Sequence, residues 1–232
     1  LMVIKAMHDI NDDPSLLVRL SQLFGLEVEK FHRNLTPERL IHSQLPEAVT
    51  SHCRDSIFVV SDLPPMSFPV PDQPDPPTMP DGQLPMQFPH RKGWHTDQSF
   101  RRPPPDISLF YAMQPTPKGQ GQTLYADGTA AYSSLSQEMQ QTVAELSAIH
   151  AIPWTGRGED AVRAGEIPTP LEPHQASQAQ PIVRIHPVTG QPALYLCEEG
   201  QLDWILRPVV GMETGPDGAG GRLIYKLMTH YT

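Results

Sequence analysis

The sequence predicts a mainly β fold, a sandwich or barrel with flanking helices, on three observations. Short β-type runs recur between proline- and glycine-rich breaks through the middle of the chain. Two segments show apolar residues at helical spacing behind plausible N-terminal caps. The length, 232 residues, suffices for one sizeable core, and all-β barrels of this size commonly remain single domains. We therefore expect one domain over residues 1–232.

Taken in order, Leu1 to Met7 reads as a strand, and Asp13-Pro14 as the start of a helix carrying Leu16, Leu17, Leu20, Leu23 and Phe24, with Gly25 as its stop. Thr36-Pro37-Glu38 opens a second short helix, and Ile57 to Val60 is a compact apolar strand. Residues 63–90 form a proline-rich loop: ten of the 27 prolines fall between Pro64 and Pro89, so neither a helix nor an interior strand can run through it. Trp94 to Phe100, Ile107 to Met113 and Thr123 to Ala126 then read as strands. Ser136 is placed to cap a helix whose inner face holds Met139, Val143 and Leu146. Residues 153–180 read as an irregular, lid-like stretch. A hairpin follows, Pro181 to His186 against Pro192 to Cys197, turning through Pro187-Val188-Thr189-Gly190. Leu223 to Met228 reads as a helix.

Composition narrows the partners. With 17 basic and 26 acidic side chains the net charge is -9, which disfavours nucleic acid and anionic membrane surfaces and leaves a small molecule as the expected ligand. A homo-oligomer stays open. No apolar run reaches the ~18 residues of a membrane span. Two cysteines, Cys53 and Cys197, in a chain of this length suggest reduced thiols and a cytoplasmic setting. Gly119-Gln120-Gly121 lacks a following helix, Gly215 to Gly221 lacks the lysine ending of a phosphate loop, and no serine sits in a Gly-x-Ser-x-Gly elbow.

One short segment carries chemistry. In His95-Thr96-Asp97 the histidine and the carboxylate are two residues apart, so on a strand both face the same way and can grip one ion. Non-haem Fe(II) oxygenases bind their metal through two histidines and one carboxylate, and this pair supplies two of the three. Ten histidines in the chain make about 0.6 such pairs expected by chance, so the surrounding sequence has to decide.

That surrounding sequence, Gly93-Trp94-His95-Thr96-Asp97-Gln98-Ser99-Phe100, resembles the iron-binding strand of the taurine dioxygenase (TauD/TfdA-like) family. Ile107 to Met113, Thr123-Leu124-Tyr125-Ala126-Asp127, and His186 to Cys197 are similar to that family's successive segments, in order. The resemblance implies a double-stranded β-helix, a jelly roll of the clavaminate-synthase-like type. It implies an oxidoreductase that uses Fe(II), 2-oxoglutarate as co-substrate and O2 to hydroxylate a small, acidic organic substrate, releasing succinate and CO2. By the same resemblance His95 and Asp97 bind iron, Thr123 helps hold the distal carboxylate of 2-oxoglutarate, and Phe100 lines the substrate pocket. Arg91 is added as a cationic residue beside the metal segment that would attract an acidic substrate; Lys92, Arg101 and Arg102 share that placement.

The resemblance also places the second iron histidine and the 2-oxoglutarate-binding arginine after Thr232, making the chain incomplete at its C-terminus and its own activity doubtful. His230 then reads as a helical histidine that does not ligate. Two rivals remain. One is a non-catalytic jelly-roll protein, or an inactive fragment, that binds a small molecule. The other is a cupin-like metal protein recruiting His150 or His186, although a lone histidine is more often structural.

Overall fold

The computed structural model describes residues 2–25, 57, 80, 94–113, 115, 117, 123–153, 155–197 and 202–231. The helix start at Thr36, nearly all of the 57–60 strand and of the 63–90 loop, Cys53 and Arg91 lie outside these residues. The chain forms two compact units, Leu1–Pro74 with Asp106–Gln122, and Asp75–Pro105 with Thr123–Thr232.

In the first unit a 3-10 turn, His8–Asn11, leads into helix α1, Ser15–Ser21. Asp13 Oδ1 accepts the Ser15 amide at 3.1 Å, so the Asp-Pro start works as its sequence implies. The helix stops four residues before Gly25, and its leucines are only half-buried, with Leu23 and Phe24 exposed. The expected strand at the N-terminus does not form: residues 2–7 join no ladder, and Ala6 has a φ of 62°. Nor do residues 107–113 pair, although Tyr111 Oη donates to Asn11 Oδ1 at 2.9 Å. A strand needs a neighbour for its amides, and the prolines flanking this run interrupt any longer ladder.

The second unit holds the main core. Asp127 caps α2, Gly128–Ser133, accepting from the amides of Thr129 and Ala130 at 2.8 and 3.2 Å. Ser136 caps α3, Gln137–Val143, through the Met139 amide, and Val143 is fully buried, as the spacing predicts. Strand β1, Ser147–His150, pairs antiparallel with β2, Gln178–Pro181. Sequence reading missed this ladder because β1 is only four residues long and β2 ends in a proline. The stretch 153–180 is correspondingly less irregular than expected: it contains α4, Glu159–Arg163, with acidic residues in its first turn and a Glu159–Arg163 pair at 2.6 Å.

The expected hairpin is present. Strand β3, Val183–Ile185, pairs with β4, Pro192–Leu194. Gly190 supplies the left-handed residue of the turn at φ 69°, and His186 Nδ1 accepts the amides of Val188 and Thr189. Ile182 links the two ladders, donating to Leu146 O at 2.9 Å and accepting from Tyr195 N at 2.8 Å. On its other edge β1 meets residues 202–210 through Ala148↔Val209 and His150↔Leu202.

Helix α5, Ala219–Tyr231, closes the unit, burying Leu223, Ile224, Leu227 and Met228 against Ile182, Leu194, Trp204 and Val209. The i, i+1, i+4, i+5 pattern is one helical face. Two glycines permit close approach: a Cβ on Gly128 would lie 2.6 Å from Leu194 O, and one on Gly221 would lie 2.9 Å from Trp204 Cζ3. Among the described residues, then, helices and four short strands share one core, with less strand than the sequence led us to expect. Cys197 is buried there. No helix among the described residues is long and apolar enough to cross a membrane.

Candidate metal centre

Residues 94–100 are not the regular strand that the sequence suggests. Residues 94–96 are extended but unpaired, and 97–100 form a turn in which Gln98 has a φ of 51° and its carbonyl accepts from Arg101 N at 3.0 Å. Alternation survives over the extended part. Trp94 packs against the core and Thr96 donates its hydroxyl to Leu196 O, whereas His95 and Asp97 face solvent. Beyond them Ser99 is fully buried.

This alternation brings the two expected ligands together. His95 Nε2 lies 3.2 Å from Asp97 Oδ1, and their side chains are 49% and 60% exposed. The hydrogen bond from His95 holds the Asp97 carboxyl below the ordinary carboxylate value, against partial desolvation. Asp97 is therefore ionised at neutral pH. An imidazole nitrogen and an anionic oxygen, adjacent and reachable from solvent, suit Fe(II) in both donor type and charge. Among the described residues no group of three His, Cys, Asp or Glu side chains stands ready to hold a metal.

The other predicted residues are placed as follows. Phe100 ends the turn, half-buried, and Thr123 lies exposed in the irregular segment before α2, where a strand was expected. Arg101 is half-buried, Arg102 exposed, and Arg91 is outside the described residues. His230 sits on α5 with Nε2 2.9 Å from Ser134 Oγ and 3.0 Å from Ala131 O, fastening α5 to α2, in keeping with a helical, non-ligating role.

Of the two rival histidines, one is engaged by the backbone and the other is enclosed in the core. His186 holds its hairpin turn. His150 is fully buried, stacked on Tyr195 with ring centroids 5.8 Å apart, and burial pushes its pKa down to about 4. Neither is near a partner set that would make it a ligand among the described residues.

Sequence reasoning missed two groups. Gln180, from β2, donates its amide to the carbonyls of Ser99 at 2.8 Å and Arg101 at 2.9 Å. The only trace of this in the sequence is a polar side chain beside an apolar run. Asp203 is wholly buried; it pairs with Arg157 at 2.9 Å, accepts from the Ser177 hydroxyl, and receives the amides of Ile205 and Leu206.

A histidine and a carboxylate paired on a solvent-facing segment are two of the three donors that a non-haem iron site uses. The family model described as "Taurine catabolism dioxygenase TauD, TfdA family" matches residues 27–231, and the chain belongs to that family, one of 2-oxoglutarate-dependent dioxygenases. An "Alpha-ketoglutarate-dependent sulfonate dioxygenase" of Saccharomyces cerevisiae is 34% identical over 104 residues, covering 45% of this chain and 24% of the yeast protein. An "Alpha-ketoglutarate-dependent sulfate ester dioxygenase" of Pseudomonas putida is 28% identical over 110 residues, covering 44% and 35%. The crystal structure of AAD-2 in complex with Mn(II) and N-oxalylglycine is similar with 23% identity and a TM-score of 0.34, covering 46% of this chain and 38% of that one. The chain thus spans about a quarter to a third of the length of these curated relatives.

Proposed function

We propose that the protein is part of an Fe(II)- and 2-oxoglutarate-dependent dioxygenase that hydroxylates a small acidic organic molecule. The observation that carries this reading is the His95–Asp97 pair, 3.2 Å apart and open to solvent, in a chain of the TauD, TfdA family. In the net reaction one oxygen atom of O2 enters the substrate C–H bond and the other enters succinate as 2-oxoglutarate loses CO2.

His95 and Asp97 hold the metal, which when bound supplies the site for oxygen activation. Asp97 is ready for this, since its hydrogen bond with His95 keeps it anionic. The third ligand and the arginine for the co-substrate are those that the family resemblance places after Thr232. Thr123 contributes its hydroxyl to the distal carboxylate, Phe100 borders the substrate, and Arg91 attracts its acidic group. Relatives named for sulfonate and sulfate ester substrates support the acidic class. The jelly roll, one domain and a cytoplasmic setting belong to the same proposal.

Anaerobic Fe(II) binding with and without 2-oxoglutarate tests it, on this chain, on His95→Ala, and on a chain extended past Thr232. The expected result is uptake that depends on His95, and succinate formation on admission of oxygen to the extended chain. Uptake indifferent to His95 overturns the reading.

A further inference from the structure

We infer that Gln180 and Thr96 are positioning residues that hold the His95–Asp97 pair in its ligating arrangement. This rests on the metal-site reading above and adds to it the residues that set the geometry.

The segment bearing the pair joins no ladder among the described residues. Side chains hold it at two places. Ahead of Asp97, Thr96 donates its hydroxyl to Leu196 O, just beyond β4, and Trp94 packs against the core. Behind it, the Gln180 amide bridges the carbonyls of Ser99 at 2.8 Å and Arg101 at 2.9 Å. These two carbonyls lie on either side of residue 100, where the turn leaves. One planar amide meeting both sets the direction of the chain there.

Gln180 is itself well placed for such a role. It is 6% exposed and sits in β2, where it pairs with Ala148, a fully buried residue of β1. Its head group therefore has little freedom. Donating both N–H groups to protein carbonyls also satisfies a buried amide that would otherwise be costly to hold in the core. The Thr96 clamp on Leu196 O sits between His95 and Asp97, and the Gln180 clamp follows Asp97 at Ser99 and Arg101. Loosening either clamp lets the pair sample other separations, and that ordering cost then falls on metal binding. Residues that orient metal ligands in this way typically change affinity 10–100-fold when removed.

The test is Mn(II) uptake by the chain extended past Thr232, read by the loss of the free-ion electron paramagnetic resonance signal, for the native sequence and four variants. Gln180→Met keeps the volume and removes both donors; Thr96→Val keeps the shape and removes the hydroxyl. His95→Ala removes a ligand, and Val143→Ala truncates the core on α3 as a control for lost stability. Thermal midpoints are measured alongside. We expect Gln180→Met and Thr96→Val each to weaken uptake about tenfold or more, Val143→Ala to lower the midpoint with uptake unchanged, and His95→Ala to abolish uptake. If Gln180→Met and Thr96→Val bind as the native chain does while His95→Ala does not, the positioning role is wrong and the metal site stands. If Val143→Ala weakens uptake as much as they do, the clamps act only through stability, and the role is again wrong. If His95→Ala binds normally, or the unsubstituted extended chain takes up no Mn(II), the metal-site reading fails and this inference with it. Should Gln180→Met lose the native circular dichroism, Thr96→Val alone decides between the first two outcomes.

Discussion

Two places in this molecule use the same residue types for opposite ends. At the turn after Trp94, His95 and Asp97 are about half exposed and bonded to each other. At the edge of β1, His150 and Asp203 are both fully buried, and they are not each other's partners. Asp203 is saturated by a guanidinium, a hydroxyl and two backbone amides, and His150 stacks on Tyr195, over whose ring the Arg184 guanidinium lies 4.6 Å from the centroid. A carboxylate with its acceptor sites filled has nothing to offer an ion, and a histidine kept neutral by burial has no path to one. The open pair faces solvent, so an ion can reach it. Burial, and for Asp203 prior satisfaction, more than residue type, set these struts apart from the pair proposed as ligands.

The largest effect expected from this contrast is at the open pair. His95→Ala and Asp97→Ala should each lower metal affinity by more than about 100-fold, beyond the range for orienting residues, while leaving the thermal midpoint within a few degrees because both side chains face solvent. Isothermal titration with Mn(II) and a melting curve check the two halves together; retained affinity in either variant would remove that side chain from the ligand set.

Asp203→Ala comes next and acts on stability. It leaves Arg157, whose side chain is 18% exposed, without its carboxylate, and frees the amides of Ile205 and Leu206. Breaking a buried pair from one side typically costs about 3–5 kcal/mol. Urea unfolding should show a loss of that order. A loss below about 1 kcal/mol, the scale of an exposed pair, would mean that Asp203 is not the strut that its burial implies.

How much of this could be read from the chain follows the same division. The capped helices at Asp13 and Ser136, the 181–197 hairpin and the C-terminal helix were all legible, because each is announced by local chemistry: an N-cap, a turn glycine, an apolar face. The pair His95 and Asp97 was legible through its spacing and its surrounding motif. What escaped was decided at a distance. Strand β1 exists because Pro181 and Val209 happen to lie beside it, and residues 107–113, strand-like in composition, find no partner among the described residues. Gln180 and Asp203 escaped for a related reason, since a buried polar residue shows its purpose only through partners such as Ser99 O, 81 positions away.

His150 predicts a pH dependence whose sign follows from its burial. Its pKa is pushed from the ordinary 6.5 to about 4 in the folded chain, so the unfolded state takes up the proton first. The stabilisation is complete above about pH 6.5 and is lost as pH falls towards 4, amounting to roughly 3 kcal/mol. Denaturant midpoints measured between pH 7 and 4 should fall accordingly, and His150→Phe, which keeps a ring against Tyr195, should flatten that part of the profile. An equally steep profile in His150→Phe would assign the loss to other groups.

The smallest effect concerns a third carboxylate, which tests whether exposure alone makes an aspartate available. Asp127 is exposed like Asp97, yet its Oδ1 already accepts the amides of Thr129 and Ala130 at the start of α2. If satisfaction matters as much as access, Asp127 belongs with Asp203 in kind despite its surface position. Asp127→Ala should then cost about 1 kcal/mol of stability, as the loss of an N-cap does, and leave Mn(II) affinity where it was. Asp127→Asn, which keeps an accepting oxygen for the same amides, should recover most of that stability. A fall in metal affinity with no change in stability would reverse the assignment, making Asp127 a ligand and not a cap.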